Sequence, residues 1–348
     1  MPFVRLSVPM PSAAALAVSA ALVAAPVAHA QEKTVELKIS SWVPPAHSLT
    51  AAFEDWGKSI EAASKGTIKY KVLPAQQLGK AQDHYDMARN GVADVTFINP
   101  GFQPGRFPVI DAGALPFLAS NAKDGSQALD EWYRKYAAKE MKDVKFCLAF
   151  AHDPGVFHSK KKIVTPADVK GMKIRPAHAT VGNLVTLLGG TNAHSSAPEA
   201  REVLERGFAD AITFPWGSIL LFKIDQVVKF HMDLPLYSTP FALLINQSTY
   251  NGMSAAQKKV MDDHCTSEWA KKIASPWADN EAAGRETLMK TPGHEVYKLT
   301  DAQVVQWRKA VEPLTQQWAD PVKKAGWNPD EVLNGLKASL ARHNSTAK

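Results

Sequence analysis

Cysteine is scarce in this chain, which has 348 residues and only Cys147 and Cys265. Two cysteines cannot build the disulfide framework of a small secreted domain, so burial of apolar side chains must hold the fold together. The pair could bond if folding brought the two residues close in an oxidising compartment. We expect two buried free thiols instead. A nucleophilic role for Cys147 is disfavoured, because Lys145-Phe-Cys-Leu-Ala-Phe150 is typical of a buried strand.

An excess of basic charge is also missing. The chain has 40 Lys and Arg residues against 34 Asp and Glu, a formal net charge of +6, and the basic residues are scattered apart from the run 160–162. This distribution excludes nucleic-acid binding, because no basic stripe alternates with aromatic residues. A modest positive field favours anionic small molecules as ligands.

Apolar runs long enough to span a membrane are absent after residue 30. Before it, the apolar run 13–27 leads to the small-residue site Ala28-His29-Ala30, which is the pattern of a secretory signal. The run is shorter than the ~20 residues that a bilayer requires, and Pro26 would break a spanning helix. We therefore predict that residues 1–30 are a cleaved signal peptide and that the mature protein works in the periplasm.

Signatures of common enzymes are missing as well. The sequence has no Gly-x-Ser-x-Gly elbow, no His-Glu-x-x-His, no phosphate-binding loop and no paired metal motif. We expect no catalytic activity, no metal and no cofactor. One alternative stays open, an exported lyase or hydrolase that acts on an organic acid with His152 or His158 as its base.

A regular alternation of strands and helices is present. Strands are predicted at 35–39, 68–73 and 92–99, with helices at 48–64 and 77–90 between them. Strand, helix, strand at this rhythm predicts parallel pairing with crossovers, the α/β class. The alternation resumes after His152-Asp-Pro-Gly155, so a second α/β lobe is expected there.

The roughly 318 residues after the signal exceed what one core usually supports, so two hinged lobes are expected. We assign residues 31–152 plus about 240–280 to lobe I. Residues 153–239 plus about 281–348 form lobe II. One long helix from Ser254 to Leu288 is predicted to brace both lobes, and a helix over 301–325 to bend at Pro313.

In open α/β sheets a ligand binds beyond the carboxyl ends of the strands. Candidates for such a cleft are the residues at or just after predicted strand ends, namely Trp42, Asn99, His152, Arg175 and Phe214. Arg175 closes the run Asp168-Val-Lys-Gly-Met-Lys-Ile-Arg175, and its planar guanidinium matches the two oxygens of a carboxylate. A plain surface arginine is the alternative. Tyr237, near the expected hinge, offers a phenolic donor.

Several short motifs carry a family resemblance through their order and spacing: Gly66-Thr-Ile-Lys-Tyr-Lys-Val-Leu-Pro-Ala-Gln-Gln-Leu-Gly79, Gly91-Val-Ala-Asp94, Leu115-Pro-Phe117, the run ending at Arg175, Leu188-Gly-Gly190 and the segment 199–210. Together they resemble the periplasmic solute-binding proteins of TRAP (tripartite ATP-independent periplasmic) transporters, over nearly all of the mature chain. The resemblance implies a two-lobed periplasmic-binding-protein (Venus flytrap) architecture with mixed sheets and an interlobe cleft.

The resemblance also implies a function. The lobes would close around an organic acid anion whose carboxylate pairs with Arg175. The protein would deliver this anion to the subunits of a TRAP-type membrane permease, which an ion gradient powers, so no nucleotide site is needed on this chain. The run 160–162 is either a solvated loop or a docking surface for that permease. We expect a monomer.

The chain departs from the family pattern at the expected cleft. Where relatives commonly read Asp-Gly-x-Glu-Asn-Pro, this chain reads Asp210-Ala-Ile-Thr-Phe214-Pro215-Trp216, and Trp42 stands where relatives often have a small or polar residue. Aromatic faces in place of polar partners favour a monocarboxylate with an aromatic or apolar body. A four-carbon dicarboxylate or keto acid is the alternative ligand. The alternative role for Phe214 and Trp216 is packing of the lobe interface.

Overall fold

The structure is a computed structural model that describes residues 1–7 and 33–347. Residues 1–7 are exposed and contain no helix or strand, and most of the expected signal peptide lies outside the described residues. Within the described residues, no helix combines the length and the hydropathy that a membrane crossing requires. Every described helix and strand lies within residues 33–347.

The strands of this part form two mixed sheets. They are β1 Val35–Ser40, β2 Ile68–Leu73, β3 Val95–Ile98, β4 Lys145–Ala151, β5 Val156–Ser159, β6 Lys173–Arg175, β7 Thr191–Asn192, β8 Ala211–Phe214, β9 Phe230–Met232, β10 Pro240–Ile245 and β11 Glu295–Tyr297. The five-stranded sheet has the order β2-β1-β3-β10-β4, and the six-stranded sheet has the order β11-β9-β5-β8-β6-β7.

Parallel and antiparallel pairs are combined in both sheets. β1 pairs in parallel with β2 and with β3, which confirms the crossovers predicted from the early alternation. β10 runs antiparallel between β3 and β4. The start of β10 therefore lies at the same edge of the sheet as the ends of β3 and β4. In the second sheet β6 and β8 are parallel, and β5 is antiparallel to β8.

The helices of this part cover the sheets and connect the strands. They are α1 Ser48–Ala63, α2 His84–Arg89, α3 Ala122–Glu140, α4 Ala179–Leu187, α5 Ala200–Glu205, α6 Trp216–Leu221, α7 Gln247–Asn251, α8 Ala255–His264, α9 Ser267–Lys290, α10 Asp301–Val311, α11 Pro313–Lys324 and α12 Pro329–Arg342. The buried apolar side chains form two clusters, and each includes residues from both sheets.

The prediction of a single helix from Ser254 to Leu288 is wrong. α8 ends at His264, and α9 begins after two further residues, at Ser267, because the Thr266 side chain accepts the Trp269 amide and caps a new helix. At the bend expected at Pro313, α10 and α11 are separated by one residue, Glu312, which keeps helical backbone angles, and Pro313 begins α11. α9 packs against α3 and β4 of the first sheet and against α6, which follows β8 of the second sheet.

The expectation of two free thiols is also wrong. Cys147 in β4 and Cys265 between α8 and α9 form a disulfide, with their Cα atoms 4.6 Å apart. The two residues are 118 positions apart in the sequence, and only the packing of α9 against β4 brings them together. Closing a loop of that length stabilises a fold by about 4–5 kcal/mol in the chain-entropy model.

Candidate functional site

A cavity lies between the two sheets. One side, which we call the first wall, comes from the first sheet and its loops, with Trp42, Asn99, Phe102, His152, Thr239 and Phe241. The opposite side, the second wall, comes from the second sheet and its connections, with Arg175, Ala177, Ala197, Phe214, Ser218 and Phe222. The lining also includes Val43, Pro215, His47 at the N-terminus of α1 and Trp277 in α9. A lining of this aromatic character, with a few polar groups, suits a small organic ligand.

All five residues that were predicted from strand ends line this cavity. The predicted residues that line it are Trp42, Asn99, His152, Arg175 and Phe214. The two other predicted residues do not. Trp216 begins α6, and its ring packs edge-on against His158. Tyr237 is buried behind the first wall, where its ring packs edge-on against His152 and His178.

The local sequence explains how Arg175 reaches the cavity. Thr165 and Asp168 cap a short 3-10 helix, and Gly171 adopts a φ of 76°, which glycine tolerates without strain. β6 then follows, with Lys173 exposed and Arg175 buried. β6 lies beside β8 in parallel, so Arg175 and Phe214 end at the same edge of the second sheet.

Arg175 is a buried cation with few partners. Its side chain is 1% exposed, and its Nε and Nη2 atoms both donate to the Ser195 carbonyl, at 3.1 and 2.9 Å. Its guanidinium carbon lies 5.3 Å from the centre of the Phe214 ring. No carboxylate of the described residues forms an ion pair with it, and the nearby Glu199 carboxylate is bound to Ser196. Burial lowers the pKa of Arg175 to about 10, so it stays charged at neutral pH.

The polar side chains of the first wall are neutral. Burial lowers the pKa of His152 to about 4, and His152 bonds to the Asp153 carbonyl and to the Thr239 hydroxyl. Asn99 accepts the Gly101 amide through its Oδ1 atom, which leaves the Nδ2 group free of protein acceptors within the described residues. The Trp42 Nε1 atom is buried and has no hydrogen-bond partner in that part of the chain.

Aromatic rings form most of the remaining surface. Trp42 stacks on Phe97 with a centroid distance of 4.8 Å, and Phe102 lies 5.9 Å from Trp42. Trp277 lies 5.3 Å from Phe241 and 5.0 Å from His47. Faces and edges of this kind pack well against a flat apolar body.

Glu281 of α9 connects that helix to α6, which borders the second wall. It is buried, and burial raises its pKa to about 7. It accepts the backbone amides of Gly217 and Ser218 at the start of α6, the Ser218 hydroxyl and the Trp277 indole N–H. α6 and α9 approach closely here, because a Cβ on Gly284 would lie 2.2 Å from the Gly217 Cα.

Sequence reasoning missed several lining residues. Thr239 and Phe241 lie at the start of β10, and the strand-end rule does not find them because β10 is antiparallel. Trp277 lies inside a helix, where its contact with the cavity depends on how α9 packs. His47 stands directly before α1, in the loop that follows β1, and this loop position was the one signal available.

Comparison with known proteins places the chain in a family. The family model for bacterial extracellular solute-binding proteins, family 7, matches residues 39–320. The structure is similar to a TRAP solute-binding protein from Rhodoferax ferrireducens in complex with copurified benzoate, with a TM-score of 0.84 and 27% identity, over 89% of this chain and 99% of that one. It is also similar to a TRAP periplasmic solute-binding protein from Bordetella bronchiseptica with bound (R)- and (S)-mandelate, with a TM-score of 0.83 and 30% identity, over 88% and 99% of the two chains.

A sequence relative of nearly full length is TsaT of Comamonas testosteroni, an outer membrane transporter protein. It is 23% identical over 330 residues, which are 93% of this chain and 97% of that protein. The family and the similar structures consist of solute-binding proteins and not of enzymes, which removes the lyase or hydrolase alternative. The two-lobed α/β architecture that the sequence predicted is confirmed. The chain belongs to family 7 of the bacterial extracellular solute-binding proteins, the periplasmic solute-binding proteins of TRAP transporters.

Proposed function

We propose that this protein captures an aromatic monocarboxylate in the cavity between its two walls and delivers it to a TRAP membrane permease. The observation that carries the proposal is Arg175, a fully buried guanidinium with no carboxylate partner among the described residues. Burying an uncompensated charge is costly, and a ligand carboxylate removes that cost. The aromatic lining suits a flat ligand body. Benzoate and mandelate in the two similar structures are acids of this kind.

The count of charges favours one carboxylate over two. Of the cavity-lining side chains in the described residues, Arg175 is the only lysine or arginine. Burial lowers the pKa of His47 to about 3 and of His152 to about 4, so both are neutral at pH 7. A four-carbon dicarboxylate would therefore bury one carboxylate without a cation. A four-carbon dicarboxylate is therefore a less favoured ligand than an aromatic monocarboxylate.

Binding would proceed by closure of the lobes. The acid enters an open form and pairs with Arg175, and closure then excludes water and strengthens that ion pair. The closed form is favoured to the extent that the ligand binds it more tightly than the open form.

We keep the predicted lobes, residues 31–152 with about 240–280 and 153–239 with about 281–348, with one change. α12 packs on α3, where Trp132 donates to the Val332 carbonyl and Ser339 to the Ala128 carbonyl, so we assign it to lobe I.

Calorimetric titration tests the ligand class. Benzoate and mandelate are expected to bind at least about 100-fold more tightly than succinate and malate, because an unpaired buried carboxylate costs several kcal/mol. Tight binding of the four-carbon diacids alone would refute the proposal. Mass spectrometry of the acid released from freshly purified, denatured protein gives an independent answer.

The compartment and the oligomeric state are part of the same proposal. We infer that the signal at residues 1–30 directs export to the periplasm and is removed before Gln31. N-terminal sequencing of protein from the periplasmic fraction checks this, and an intact residue 1–30 segment there would contradict it. We also infer a monomer, for which light scattering gives the mass directly.

A further inference from the structure

In the hydrogen bond between His152 and Thr239, the neighbouring atoms determine which residue donates the proton. His152 Nδ1 faces the Asp153 carbonyl, which accepts hydrogen bonds and cannot donate, so the ring proton is on Nδ1. The buried ring is neutral, which leaves Nε2 as a bare acceptor. The Thr239 hydroxyl must therefore donate its proton to Nε2, over 2.7 Å.

This direction turns Thr239 into an acceptor toward the cavity. With its proton committed to His152, the Thr239 oxygen offers only lone pairs, and no donor of the described residues uses them. The hydroxyl of Ser218, the other one in the lining, differs because it also receives the Trp277 indole N–H. A ligand group that meets Thr239 must bring its own proton.

The other polar side chains of the lining offer donors. The Leu49 amide donates to His47 Nδ1, so the neutral His47 ring carries its proton on Nε2. Trp42 Nε1 and Asn99 Nδ2 are donors without a protein acceptor in the described chain. Together with Arg175 they suit the acceptor oxygens of a carboxylate. Thr239, by contrast, needs a donor from the ligand. The cavity therefore distinguishes a carboxylate oxygen, which only accepts, from a hydroxyl oxygen, which carries a proton.

We propose that Thr239, oriented by His152, is a specificity-determining residue that accepts a hydrogen bond from a hydroxyl group on the ligand and disfavours a second carboxylate. The proposal rests on the aromatic-acid function proposed above and narrows it to hydroxylated aromatic acids. A phenolic or α-hydroxyl group brings a proton to the Thr239 oxygen. An ionised carboxylate brings only lone pairs, so it leaves both oxygens without a hydrogen bond.

The surroundings hold this pair in place. The Ser238 hydroxyl donates to the His152 carbonyl at 2.7 Å, and the His152 ring lies 5.4 Å from Trp277 and 5.9 Å from Phe241. The Thr239 side chain is 2% exposed, so water does not compete freely for its oxygen. A preorganised acceptor in such a site discriminates between ligands that carry the donor and ligands that lack it.

Pairs of acids that differ by one hydroxyl group test the proposal by calorimetry. The pairs are benzoate with each monohydroxybenzoate, and phenylacetate with mandelate and each monohydroxyphenylacetate. In the unchanged protein at least one hydroxylated acid is expected to bind about 3- to 10-fold more tightly than its parent, the usual size for one neutral hydrogen bond. Thr239→Val should abolish that advantage, and Thr239→Ser should keep it.

The outcomes separate this inference from the proposed function. If the parent acids bind and no hydroxyl group improves binding, or if Thr239→Val leaves the advantage unchanged, the role of Thr239 is refuted while the aromatic-acid function stands. If neither the parent acids nor their hydroxylated counterparts bind, the proposed function itself fails. Thermal unfolding of both variants is measured alongside, and because affinity ratios are compared within each variant, a general loss of stability does not imitate the result.

Discussion

The two walls of the cavity differ in how their polar groups are compensated. The second wall carries Arg175, a permanent charge whose protein partners are one carbonyl oxygen and one aromatic ring. The first wall has no charge at pH 7, and its His152 and Thr239 satisfy each other. The difference predicts that the second wall binds the ligand carboxylate and that the first wall contacts the rest of the ligand. A ligand that contacts both walls at once binds the closed form more tightly than the open form, and this difference in affinity would favour closure.

Replacing Arg175 by methionine tests the charge of the second wall, and we expect it to have the largest effect on binding. Arg175→Met is expected to weaken binding of an aromatic acid by about 100- to 1,000-fold or more, as for other buried charge pairs that lose one partner. Stability of the ligand-free protein should stay the same or rise, because a buried charge with few partners is removed. Calorimetry and thermal unfolding measure the two effects.

The matched control is Arg201→Ala, since Arg201 is a half-buried arginine that pairs with Glu205 outside the cavity. It should leave affinity unchanged. Retained micromolar binding in Arg175→Met would show that the ligand carboxylate lies elsewhere.

Replacing Glu281 tests how the second wall is held to α9. Glu281→Ala leaves the α6 amides, the Ser218 hydroxyl and the Trp277 indole without their acceptor. We expect a loss of about 3 kcal/mol in the free energy of unfolding. Denaturant titration of the ligand-free protein measures this loss. A variant as stable as the parent would contradict the role of Glu281 as a structural acceptor.

Acidification should weaken the fold through its buried histidines. Burial lowers the pKa of His47, His178 and His231 to about 3 and of His152 to about 4. The unfolded chain binds protons below about pH 6.5 and the folded chain does not, so stability is complete above that pH and is lost as the pH falls. Each histidine costs on the order of 1 kcal/mol between pH 7 and 5.5.

Glu281 acts in the opposite sense over the same range. Its raised pKa of about 7 lets the folded state hold a proton that the unfolded state has released, so its contribution improves as the pH falls from 7. Asp111, whose pKa burial raises to about 8, acts in the same sense as Glu281. The histidines outnumber these two carboxyl groups, and we expect a net loss of about 1–2 kcal/mol between pH 7 and 5.5. Urea titrations at the two pH values measure the difference, and equal midpoints would contradict it.

Trp42→Phe tests the first wall, and we expect it to have the smallest effect on ligand affinity. Phenylalanine keeps an aromatic ring near Phe97 but removes the Nε1 donor, which has no partner within the described residues. Affinity for an aromatic acid should fall by about 3- to 10-fold if a ligand oxygen accepts from Nε1. An unchanged dissociation constant would show that Trp42 contributes its surface alone.

Much of the fold and of the cavity followed from the sequence because local patterns determine them. Alternating strands and helices predicted the parallel pairs, and the strand ends located Arg175 and Phe214. Features that depend on long-range packing did not follow. Thr239 enters the cavity from the start of an antiparallel strand, and the partner of Cys147 is 118 residues away. The break between α8 and α9 depends on one threonine cap that an apolar pattern does not reveal.

The Cys147–Cys265 disulfide also sets an order of events during secretion. The covalent loop that it closes contains β5 to β9 of the second sheet and β10 of the first sheet, and it joins β4 to the residues that precede α9. A chain that crosses the membrane from its N-terminus presents Cys147 long before Cys265. The bond can therefore form only after the whole segment 148–264 has emerged. Once formed, the bond covalently holds the start of α9 next to β4.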